Sequence, residues 1–145
     1  MSEVEALQFI KDAARTFNWY YHHQRPAYER GKYASAMTGD PGMPDVILCH
    51  PAGALIFAEV KARDRRNQVK KPTEAQRQWL TALSVVAQGT PLVHCALWVW
   101  PDHRDEILWR LQRVPRATPQ SPLVGALPEL RSVYGIDRSR IIGGA

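Results

Sequence analysis

The sequence predicts an α/β domain, a mixed β-sheet flanked by helices in the order α-β-β-β-α-β-α. Three observations lead there. Residues from Glu3 to Phe17 and from Thr73 to Gln88 carry apolar side chains at helical spacing. Val46 to Cys49 and Leu55 to Lys61 are short apolar runs joined by His50-Pro51-Ala52-Gly53-Ala54, the pattern of an antiparallel hairpin. Leu92 to Trp100 is a near-continuous apolar run that follows a helix, which predicts a buried strand laid parallel to its neighbour by a right-handed crossover.

The elements follow in order. Val4, Leu7, Ile10, Ala14 and Phe17 form one stripe of the first helix, with Ser2 as N-cap and Glu5 three residues on completing a capping box. Trp19 to His22 is short, aromatic and strand-like. Gln24 to Met43 is rich in Arg, Tyr, Gly and Pro without periodicity, and reads as a long loop of the kind that carries function. Pro72 and Thr73 start the second helix, whose apolar face is Trp79, Leu80 and Leu83, and Gly89-Thr90-Pro91 stops it. Asp105 to Arg113 makes a short third helix on Ile107, Leu108 and Leu111. From Pro115 prolines recur and periodicity fades. The expected organisation is one domain over 1–114 and a proline-containing tail over 115–145, partly ordered or docked on the domain or on a partner.

At 145 residues the chain is long enough for a single core. No apolar run reaches the length of a membrane span, and the N-terminal stretch lacks the basic-then-apolar pattern of a signal, so a cytoplasmic protein with no membrane partner is expected. Cys49 and Cys95 stand alone in apolar runs, without CxxC spacing, and read as core residues rather than zinc ligands or a disulfide. The net charge is +5, which favours a polyanionic partner. Its distribution is more specific, because Arg63, Arg65, Arg66, Lys70 and Lys71 crowd one segment. Such a run is a solvated loop or a phosphate-backbone contact.

That basic segment directly follows the most informative stretch, Gly42 to Lys61. Side chains alternate along a strand, so Glu59 and Lys61 share one face and Val60 takes the other. If the two strands pair, Asp45 at the start of the first joins them. Two carboxylates and an ammonium at one sheet edge suit a divalent cation, a water and a phosphodiester.

Gly42-Met43-Pro44-Asp45, the hairpin, Glu59-Val60-Lys61 and Thr73-Glu74-Ala75-Gln76-Arg77-Gln78-Trp79-Leu80 together resemble the VRR-NUC family of the PD-(D/E)XK nuclease superfamily, over roughly residues 2–113. The 24–40 and 63–71 segments look longer than in minimal members, and the tail has no recognised counterpart. The resemblance implies a restriction-endonuclease-like core and a Mg²⁺- or Mn²⁺-dependent endonuclease cleaving DNA phosphodiesters. It further implies a preference for branched DNA such as four-way junctions, in replication, recombination or repair, and a homodimer.

On that expectation Asp45 and Glu59 hold the metal, and Lys61 orients the attacking water or offsets charge on phosphorus. Glu3 competes with Glu5 as a further metal ligand; helical spacing puts Glu3 on the inward stripe and Glu5 away from it. Gln76 either contacts the water or a phosphate, or only closes a capping box with Thr73. Arg25, Arg30 and Lys32, interleaved with Tyr28 and Tyr33, suit DNA contact alongside Arg63, Arg65, Arg66, Lys70 and Lys71. The rival readings are a sequence-specific, restriction-like nuclease and a non-catalytic nucleic-acid-binding module of the same fold.

Overall fold

The structure, a computed structural model, describes residues 2–24, 27–29, 32–34 and 39–116, with the backbone alone for 27–29 and 32–34. Helix α1 spans Glu3–Thr16 and strand β1 spans Tyr20–His23. Two short strands follow, β2 (Ala27–Glu29) and β3 (Lys32–Ala34), then the hairpin of β4 (Val46–His50) and β5 (Ala54–Ala62). Helix α2 (Glu74–Gln88), strand β6 (Val93–Trp100) and helix α3 (Arg104–Gln112) complete the order.

The main sheet is mixed, with strand order β1-β4-β5-β6. β1, β4 and β5 run antiparallel in turn, and β6 returns parallel to β5, as the helix between them requires. The α/β architecture is the expected one, with one addition. The 24–43 segment is not loop throughout, because β2 and β3 pair as a separate antiparallel hairpin with Tyr28 opposite Tyr33. Strands of three residues are too short to show a period. The proline-containing tail, apart from Pro115 and Arg116, lies outside the described residues.

The core sits on one face of the sheet. Val46 and Leu48 of β4, Ala54, Ile56, Ala58 and Val60 of β5, and Trp98 of β6 form one buried cluster with α1 and α3. Each large apolar side chain so buried contributes roughly 1.5–3 kcal/mol before entropy is counted. The inward face of α1 is Ala6, Ile10, Ala13 and Ala14. This corrects the expected stripe: Val4 is 71% exposed, and Leu7 and Phe17 only flank the core. Three alanines carry less hydrophobic weight in a sequence than Val or Phe, yet they let the helix lie close to the sheet. From α3, Ile107 and Leu111 enter the cluster, and the Leu111 carbonyl accepts the Trp19 indole N–H at 2.9 Å.

Helix α2 covers the opposite face, over β6 and the adjoining part of β5. Its cap is the predicted box of Thr73 and Gln76, worth about 1 kcal/mol. None of its residues is fully buried. Cys49, expected inside, is exposed; Cys95 is partly buried, and both thiols are free. No helix among the described residues is long and apolar enough to cross a membrane.

Candidate active site

The β4–β5 pairing runs from His50 opposite Ala54 to Val46 opposite Ala58, so the next step sets Asp45 against Glu59. Three local features bring Asp45 there. Gly42 takes a positive φ of 95°, the side chain of Pro44 is buried, and the Asp45 carbonyl accepts the Gln24 N–H at the end of β1 at 3.2 Å. One carboxylate oxygen of Asp45, Oδ2, then accepts the Val60 N–H at 3.2 Å.

Glu59 is fully buried, and Lys61 is 8% exposed. The Lys61 ammonium lies 2.5 Å from Glu59 Oε1. Gln76 donates its Nε2–H to the same oxygen at 2.5 Å, while its Oε1 accepts the Thr73 N–H at 2.9 Å. Gln76 therefore closes the expected capping box with Thr73, and the same amide also holds Glu59. The other Glu59 oxygen, Oε2, is buried without a hydrogen-bond partner among the described residues. Burial is the main cause that raises the Glu59 carboxyl above its ordinary value; Lys61 counteracts it, and the neighbouring Asp45 adds to it.

The arrangement is thus a carboxylate pair and an ammonium at the β4–β5 edge, closed on one side by the first turn of α2. Among the described residues no group of three or more His, Cys, Asp or Glu side chains is placed to hold a metal, so the acidic set is Asp45 and Glu59. Glu3, expected on the inward stripe, is exposed on the first turn of α1, where alanine and not glutamate faces the sheet. Glu5 is engaged in the capping box, accepting the Ser2 N–H at 2.6 Å.

The basic run is an ordered turn. Asp64 Oδ1 accepts the N–H groups of Arg66 and Gln68 at 2.8 and 2.9 Å, and Arg63 bridges to Val69. Arg63 itself is committed to the fold, with Nε and Nη2 on the Asp102 carboxylate and Nη1 on the Asn67 carbonyl at 2.8 Å. Arg65, Arg66, Lys70 and Lys71 are exposed on this turn. Arg25 and Arg30 lie outside the described residues, as do the side chains of Lys32, Tyr28 and Tyr33. A separate groove of about 820 Å³ opens between Val4, Leu7, Gln8 and Lys11 of α1 and Tyr21, His22 and His23 of β1. Sequence reasoning missed that groove and the contact of Gly42 with α2; the positive-φ glycine three residues before Asp45 was the available signal for the second.

No protein-family model, curated protein or solved structure matches the chain.

Proposed function

We propose that the chain is a metal-dependent DNA endonuclease that hydrolyses phosphodiester bonds with Mg²⁺ or Mn²⁺. The observation that carries this reading is the buried Glu59 oxygen that has no hydrogen-bond partner among the described residues, beside a second carboxylate. Burial disfavours the ionised form of Glu59 and the neighbouring Asp45 disfavours it further, with Lys61 opposing both. Lys61 and Gln76 both meet Oε1, which leaves Oε2 unpaired among the described residues, with the Asp45 carboxyl near enough to raise the Glu59 carboxyl. Asp45 and Glu59 are the residues that would hold a divalent cation here, and a hard ion that keeps several waters needs few protein ligands.

A divalent ion held there would supply Lewis acidity, activating water and offsetting charge on the phosphate. Asp45 and Glu59 hold its place from neighbouring strands. Lys61 lies on the same strand face as Glu59, where its ammonium meets the charge that develops on the phosphate oxygens. Gln76 keeps Glu59 in position by its amide. The exposed cations of the 63–71 turn supply sequence-independent phosphate contacts. The resemblance of these motifs to VRR-NUC nucleases adds a restriction-endonuclease-like core, branched DNA as the preferred substrate, and a homodimer. Exposed Val85 and Val86 on α2 and Leu97 on the β6 edge offer that dimer an apolar surface.

The test is cleavage of linear, flapped, splayed and four-way DNA under Mg²⁺ and Mn²⁺. Wild type is expected to cut, branched substrates best, and Asp45→Ala and Lys61→Ala to lose about a hundredfold or more in rate. Cutting of linear duplex at one sequence favours the restriction-like reading. Binding without cutting under both metals favours a binding module, and full activity of Asp45→Ala removes the site.

A further inference from the structure

We infer that Gly42 is a positioning residue for the carboxylate pair, because the missing side chain lets the loop carrying Asp45 seat on the backbone of α2. The geometry stands by itself; its chemical meaning rests on the proposed cation centre. A Cβ placed on Gly42 would lie 2.4 Å from the Ala75 carbonyl carbon, 2.6 Å from its oxygen and 2.6 Å from Gln76 N. All three are backbone atoms of the first helical turn, which cannot swing aside as the end of a side chain can.

The contact closes a ring through the site. Three residues after Gly42, Asp45 binds the Val60 N–H, next to Glu59 in β5. Glu59 is held by Gln76, and Gln76 N is one of the atoms against Gly42. The spacing of the two carboxylates is therefore set by how closely the 42–45 loop approaches α2. Gly42 also has a positive φ of 95°, which by itself asks for glycine at a turn. Gly39 separates the two demands. Its φ is 137°, yet a Cβ there meets nothing within 4 Å among the described residues. Gly39→Ala adds backbone strain alone; Gly42→Ala adds strain and drives the loop off the helix.

The full-length chain is compared as wild type, Gly39→Ala and Gly42→Ala by thermal melting, Mn²⁺ titration and hydrogen exchange at the Val60 amide. Gly39→Ala is expected to lower stability and leave both other readouts within twofold of wild type. Gly42→Ala, measured where it is folded, is expected to lose Val60 protection and roughly ten- to a hundredfold in Mn²⁺ affinity. Unchanged Val60 protection and Mn²⁺ affinity in Gly42→Ala overturn the inference, as do equal losses in the two variants. If Gly42→Ala does not fold, Thr73→Ala, which frays the first turn of α2, takes its place. Val60 protection then falls with that of the Gln76 amide, and fraying that leaves Val60 protected overturns the inference. A wild type that binds no Mn²⁺ removes the cation reading, while the Val60 amide still decides the role of Gly42.

Discussion

Burial raises the Glu59 carboxyl above its ordinary value of 4.5, with Asp45 adding to the shift and Lys61 opposing it. The folded chain then holds a proton there more tightly than the unfolded chain does. The stabilisation from this group is complete below about 4.5 and is lost as pH rises through the raised value. Thermal melts without divalent ion are expected to show that fall, and Glu59→Gln to flatten it. If the proposed cation binds the ionised pair, saturating Mg²⁺ reverses the sign. On the proposed function, the acid limb of cleavage should accordingly move to lower pH as Mg²⁺ is raised; a limb that ignores Mg²⁺ concentration counts against the carboxylate pair as its site. Asp45, Glu59 and Lys61 were legible in the sequence because strand alternation and one hairpin suffice to place them. Glu3 was misplaced because the inward face of α1 is set by alanines, which a hydrophobic stripe undercounts. The dual bond of Gln76 was out of reach, since it depends on where α2 lands against β5.

Among elements, the turn after β5 shows a charge run divided between structure and surface. Arg63 is tied to Asp102 by a fork and to Asn67, whereas Arg65, Arg66, Lys70 and Lys71 project outward. The Asp102 carboxyl is held below its ordinary range chiefly by that hydrogen bond from Arg63. On the proposed function, Asp102→Asn is therefore expected to loosen the turn and weaken DNA binding by roughly fivefold, with kcat unchanged. Fluorescence anisotropy and single-turnover kinetics separate the two, and a fall in kcat with binding intact contradicts this division of labour. Composition showed that the segment is basic, but which guanidinium is spent on the fold follows from Asp102 lying 39 residues away. The β2–β3 hairpin escaped notice for a local reason. Its strands are three residues each, and its one cue was a glycine in the two-residue connection between Glu29 and Lys32.

For the whole molecule, the order of elements and the mixed sheet were legible because helix and strand periods differ and the crossover fixes β6 beside β5. The incompleteness of one face was not. Val85, Val86 and Leu97 remain 64%, 54% and 38% exposed on α2 and the β6 edge. If this surface closes the proposed homodimer, sedimentation velocity should find a dimer at micromolar concentration, and Val86→Glu should convert it to monomer with its circular dichroism unchanged. A monomeric wild type ends that part of the reading. The two sides of β5 also impose a rule on insertions and deletions. Ala54, Ile56, Ala58 and Val60 line the oily side, and Glu59 and Lys61 the other. Adding or removing one residue inside this strand inverts everything beyond it, driving an ion pair into oil and a valine towards water. Length changes are tolerable at the 51–53 turn and ruinous a few residues later, so in this chain a securely registered sheet and a competent site are one and the same requirement.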